Sequence, residues 1–230
     1  MRSEVIAVEH SAGGGEARRA DPLARALDAV REPALLVDLE RVGANVAAMV
    51  ERARRTGARL RVHAKTHQCA AIGELCRDAG AAALAVSSVP MAEYFAAAGF
   101  DDITIAFPFA PRRRDAIARL ARRVRLGVLA DNERAIDAIG AIDAPLEIWV
   151  EVDPGYGRSG ISWDDAGRVA EIAARAAALQ RHRLAGLLTH AGQSYAASGR
   201  GEIGELADRV HRRMGEIGRA SCRERVCHRV

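Results

Sequence analysis

The run Leu60-Arg61-Val62-His63-Ala64-Lys65-Thr66-His67 carries four basic side chains at alternate positions. With the two-residue period of a β-strand, Leu60, Val62 and Ala64 share one face and Arg61, His63, Lys65 and His67 the other. Like charges and partial burial both disfavour an ammonium ion, and a lysine so placed is left with an amine able to attack a carbonyl. Lys65 is therefore a candidate Schiff-base former. A solvated basic strand end has the same composition, and the octapeptide alone leaves both readings open.

Two further stretches hold residue types that could act with such a lysine. In Asp153-Pro154-Gly155-Tyr156-Gly157-Arg158-Ser159-Gly160 the glycines let backbone approach a ligand, and Arg158 could grip a phenolate or phosphate with two parallel hydrogen bonds. An ordinary tight turn with a surface arginine would look the same. In Thr189-His190-Ala191-Gly192-Gln193-Ser194-Tyr195, His190 could lie flat against an aromatic ring and Tyr195 could donate to a phosphate or ring oxygen. Each could equally be a satisfied core residue.

Strands and helices must bring these stretches together. Apolar periodicity predicts strands over 59–66, 83–86, 102–107, 124–129, 146–152 and 184–189. Helices are predicted over 70–79, 91–98, 112–122, 133–139, 164–179 and 202–214, several closed by glycine. This succession points to an α/β fold, a parallel barrel of the (β/α)8 TIM type, with the last strands missing. The carboxyl ends of barrel strands carry the reacting groups. Lys65 ends the first of these strands, the Arg158 turn follows the fifth, and His190 and Tyr195 follow the sixth. Ser87-Ser88, Phe107-Pro108 and Asp131-Asn132 close the other three.

Ahead of the barrel strands, residues 1–21 lack an apolar period and read as a flexible leader, and Leu23, Leu27 and Val30 mark a short helix before Pro33. Ala34–Val37 is an apolar run of strand length. Asp38 can cap a helix whose apolar positions Val42, Val46, Met49 and Val50 recur until Gly57. The organisation is thus a leader and helix over 1–32, a partial barrel over 33–215, and a tail over 216–230. From Glu216 to Val230 no helical or strand period is evident. That stretch holds four arginines and two glutamates, half of the chain's formal charge of +4, and reads as an artefactual translation.

The composition, 49% hydrophobic and 28% charged over 230 residues, is that of a globular protein. The mild charge gives no footprint for nucleic acid, and no run reaches the roughly 20 apolar residues of a membrane span. A cytoplasmic protein is expected. Cys69, Cys76, Cys222 and Cys227 include no C-x-x-C pair, and reduced thiols are expected.

Taken in order, Pro33–Leu39, His63-Ala64-Lys65-Thr66-His67, Asp153–Gly160 and Thr189–Tyr195 resemble the signatures of fold-type III pyridoxal-phosphate enzymes. The D-serine dehydratase and D-threonine aldolase branch, whose barrel is similar to the alanine racemase N-terminal domain, is nearest in pattern. The resemblance implies that Lys65 binds pyridoxal 5'-phosphate as a Schiff base. It further implies that Arg158 contacts the phenolic oxygen, that His190 lies against the pyridine ring, and that Tyr195 is near the cofactor. It implies a lyase that dehydrates or cleaves a D-3-hydroxy amino acid, dimeric when complete. In that branch a later β-domain supplies a histidine and a cysteine for a divalent metal, zinc or manganese. Neither that domain nor the phosphate loops after the last strands are found here, and Cys222, Cys227 and His228 are not read as the metal pair. As given, the chain is expected to be inactive and, with two open sheet edges, prone to aggregate. An amino-acid racemase and a non-catalytic pyridoxal-phosphate homeostasis protein are the alternatives.

Overall fold

A computed structural model describes residues 27–28, 30–31 and 35–223, with backbone alone for 220–223. The expected leader and first short helix fall almost wholly outside the described residues, as does the chain beyond Arg223. The described chain forms two compact units. One comprises residues up to Leu60 with Cys69–Ala81, the other Arg61–Gln68 with everything from Ala82 onward.

The first unit holds helices α1 (Leu39–Thr56) and α2 (Ala70–Asp78). The side chain of Asp38 accepts the Arg41 N–H at 2.9 Å to start α1, and Gly57, left-handed at φ 68°, ends it. Residues 35–37, the described part of the apolar run before α1, do not form the strand its composition suggested. Leu35 is 96% exposed and the run has no ladder partner among the described residues, and an extended segment without one has little to hold it.

The second unit is a seven-stranded parallel sheet with helices. Its strands are β1 (Arg61–His63), β2 (Ala83–Val86), β3 (Asp102–Pro108), β4 (Arg125–Ala130), β5 (Glu147–Asp153), β6 (Ile161–Ser162) and β7 (Arg183–Thr189). The order is β1-β2-β3-β4-β5, with β7 also pairing β5 and the short β6 pairing Val152 and Asp153 at its end. Helices α3 (Val89–Ala97), α4 (Arg114–Ala121), α5 (Glu133–Gly140), α6 (Ala166–Ala178) and α7 (Arg200–Arg223) complete the alternation. This is the α/β architecture expected from the periodicity. Among the described residues, no helix is long and apolar enough to cross a membrane.

The two faces of the sheet divide by residue parity. On one face Leu84, Val86, Ile103, Ile105, Leu126, Val128, Ile148, Val150 and Val152 are buried, in one cluster with Phe95, Ile117, Ile136 and Ile172 of the helices. The alternate positions are mixed, with Asp102, Thr104, Arg125, Glu147, Glu151 and Asp153 among the apolar Ala85, Leu129 and Trp149. At the amino ends of the strands lies a belt of opposite charges. Arg61 meets Asp102 at 2.7 Å, Asp102 also binds Arg125, Arg125 approaches Glu147 at 3.9 Å, and Glu147 meets Arg183 at 2.6 Å. Higher on this face Gly127 is required. A Cβ there would stand 2.5 Å from Thr104 Oγ1 and 3.1 Å from Trp149 Nε1.

Two sequence boundaries are corrected. The strand expected over 59–66 stops at His63, because Ala64–Thr66 turns into a 3-10 helix held by local side-chain bonds. The last helix, expected to stop at Met214, continues to Arg223. Ile217, inside the stretch thought to lack a period, is 1% exposed within the core cluster. It continues the helical spacing of Leu206, Val210 and Met214.

Candidate functional site

At the carboxyl ends of β1, β5 and β7 the mixed face of the sheet meets three short connections. Lys65 is the middle residue of the 3-10 turn that follows β1. Its side chain is exposed where partial burial was expected, but its backbone is held on both sides. The Lys65 N–H donates to His63 Nδ1 at 3.3 Å, and Gln68 Nε2 donates to the Lys65 carbonyl at 3.5 Å. Buried Ala64 anchors the turn, and Gln68 at φ 48° closes it with an N–H bond of 2.8 Å to the Ala64 carbonyl.

The turn after β5 is organised by a strand carboxylate. Asp153 Oδ1 accepts the Gly155 and Tyr156 N–H groups at 2.9 and 2.7 Å, and its Oδ2 accepts that of Gly157 at 2.8 Å. Gly160 then brings the chain back against β5. A Cβ there would lie 2.8 Å from the Asp153 nitrogen, and its φ of 98° also demands glycine. Arg158 stands exposed on this turn. Two residues below Asp153 on the same strand face, Glu151 is 2% exposed and accepts the Ser159 hydroxyl at 2.7 Å. Burial pushes its pKa up and nearby Asp131 and Asp153 add to the rise, while the Ser159 bond and Arg158 oppose it.

After β7, whose Thr189 hydroxyl donates to the Val152 carbonyl at 2.8 Å, comes His190. Its ring lies between two tyrosines, Tyr156 edge-on and Tyr195 tilted, each with its centroid 5.7 Å away. Neither lies flat on the imidazole. Its Nε2 is buried with no hydrogen-bond partner among the described residues. Gly192 is the seat of the Tyr156 ring, since a Cβ there would be 2.3 Å from the ring's edge. Tyr195, in the 3-10 segment Gly192–Ala196, is 70% exposed.

Lys65, Arg158 and His190 thus follow β1, β5 and β7 at one end of the sheet, all three act electrostatically on His63, and Tyr195 is joined through the His190 ring. Burial pushes the His63 pKa down, and Lys65, His190, Arg158 and His67 push it further in the same direction. Burial likewise lowers His190, with Arg158 and Lys65 adding to the effect. An amine, a guanidinium and two imidazoles held neutral form a donor set suited to an anionic ligand that carries a carbonyl for Lys65. The unpartnered His190 Nε2 is a polar atom such a ligand could meet. Among the described residues no three His, Cys, Asp or Glu side chains converge as a metal site. Cys227 and His228 lie outside the described residues. Glu151, Asp153 and Tyr156 were not singled out from sequence. The signal for the two carboxylates was their two-residue spacing before the glycine turn.

Residues 37–224 match the family model described as alanine racemase, N-terminal domain. The sequence is 37% identical over 182 residues to the D-threo-3-hydroxyaspartate dehydratase of Delftia sp. (strain HT23), covering 77% of this chain and 48% of that protein. It is 35% identical over 181 residues to the D-threonine aldolase of Arthrobacter sp, covering 76% and 46%. The solved structure of the Delftia dehydratase superposes with a TM-score of 0.77 at 34% identity, over 84% of this chain and 52% of that one. The chain spans about half the length of these relatives.

Proposed function

Since the chain belongs to the alanine racemase N-terminal domain family of fold-type III pyridoxal-phosphate enzymes, we propose that the mouth around Lys65 binds pyridoxal 5'-phosphate. We propose further that it serves a lyase acting on a D-3-hydroxy amino acid. The observation that carries this is the convergence of Lys65, Arg158 and His190 on one end of the sheet, in a chain similar to a dehydratase and an aldolase of such substrates. When bound, the cofactor supplies an electron sink for the carbanion left by bond cleavage.

The chain's own residues do the rest. Lys65 Nζ would be the amine that bonds the cofactor, and it is the group placed to carry a proton at Cα or at the β-hydroxyl. Arg158, its backbone set by Asp153 below and Ser159 beside it, holds the phenolic oxygen. His190, whose pKa is lowered by burial and by Arg158 and Lys65, would support the cofactor ring without bringing a second cation to it. Tyr195 closes the outer side. We propose further that a divalent ion, zinc or manganese, accompanies the cofactor, and that the protein works as a cytoplasmic homodimer.

The test is to add pyridoxal phosphate, reduce with borohydride and map the modified peptide by mass spectrometry. Label at Lys65, and its disappearance in Lys65→Ala, is the expected result. Lys65 is the chain's only lysine, so undiminished labelling of the variant, which could then fall only on the amino terminus, would refute it.

A further inference from the structure

Resting on the reading of Lys65 as the cofactor-bonding residue, we propose that His63 is its positioning residue, the ring whose Nδ1 holds the Lys65 N–H and so fixes the turn that presents the amine. The turn Ala64–Thr66 breaks away from β1, and the first N–H groups of such a turn have no acceptor within it. His63 supplies the acceptor at 3.3 Å, as an N-cap side chain does. Its own carbonyl is tied in turn by the Thr66 hydroxyl at 3.2 Å. The exposed Lys65 side chain thus leaves a backbone that is fixed from both flanks.

This arrangement works in one protonation state only. A ring that accepts at Nδ1 carries its proton on Nε2. A second proton, on Nδ1, would set two donors against each other and release the Lys65 N–H. The groups facing His63 all resist that proton. Lys65 and His67 lie on its own segment, Arg158 is on the turn after β5, and His190 follows β7. The cationic mouth that attracts an anion is therefore also what keeps the cap in place.

The experiment follows the rate at which the full chain captures pyridoxal phosphate at Lys65, read by borohydride trapping and mass spectrometry from acid to neutral pH. His63→Ala is expected to slow capture roughly fivefold, the usual worth of a cap. His63→Asn, whose amide oxygen can accept the same N–H but does not titrate, restores it. As pH falls through the lowered His63 value, wild-type capture drops below that of H63N by up to the same fivefold, because the asparagine cap does not titrate. An H63A rate equal to wild type, or wild-type capture that keeps pace with H63N throughout the acid range, overturns the proposal. Should H63A fail to fold, the comparison with H63N in acid decides alone. If wild type captures nothing, the reading of Lys65 falls and takes this proposal with it; capture that ignores both His63 variants sinks this proposal only.

Discussion

Single residues on the mixed face of the sheet carry more of the site than their spacing announced. Glu151 is an acid buried beside Ser159, with its pKa raised first by burial. An acid whose pKa is higher in the fold than in the unfolded chain stabilises the fold below its unfolded pKa, and that stability is lost as pH rises through the folded value. Glu151→Gln keeps an oxygen for the Ser159 hydroxyl and cannot ionise. The expected outcome is that the melting temperature of the variant gains on wild type as pH is raised from acid to alkaline. A difference that stays flat with pH would show that Glu151 does not titrate in the fold. The lysine, arginine, histidine and tyrosine of the mouth were all visible in sequence, because glycine and basic residues gather in short motifs. The supporting carboxylates were not. An acid on a strand reads as solvent-facing until its burial is seen.

Among the elements, the strands β2 to β5 were legible because alternate Val, Ile and Leu positions pack under helices and have no other stable arrangement. The end of β1 was not legible. His63, Lys65 and His67 keep the alternating residue types of a strand, yet a local side-chain cap outcompetes the ladder after His63. The end of α7 was hidden differently, since Gly215 and Gly218 and the dense arginines obscured the spacing that leads to Ile217. At the amino ends of the strands, charge order rather than apolar pattern joins the elements. Burial pushes the Asp102 carboxyl up, but hydrogen bonds from Arg125 and Arg61 outweigh this and hold it below its ordinary range. Its contribution is present above the unfolded pKa and is lost as pH falls through the depressed folded value. Asp102→Asn is expected to cost about 2 kcal/mol at neutral pH, somewhat under the range for fully buried pairs. The cost should shrink in acid, which denaturant titrations at two pH values would measure; an equal cost at both would remove the ion pair from the account.

Across the whole sheet, protection should follow the number of neighbours each strand has. Strands β2, β3 and β4 pair on both sides, and β5 is flanked by β4 and β6 on one side and β7 on the other. Strands β1 and β7 have one partner each among the described residues. Amide hydrogen exchange is therefore expected to be slowest in β3 to β5 and faster, by roughly tenfold or more, in β1 and β7. Uniform protection from β1 to β7 would mean that the edges are covered in solution, by a second copy or by other chain. The same open edges are where association would begin.

Gly192 and Tyr156 belong to connections that follow different strands, yet one ring fills the space that a single methyl group would need. The consequence is hereditary as much as mechanical. A side chain at position 192 and the Tyr156 ring in its present place exclude each other, so a larger residue at 192 must displace that ring or coincide with its loss. The two loops that flank His190 are thus coupled in what they can carry, glycine on one making room for a ring on the other.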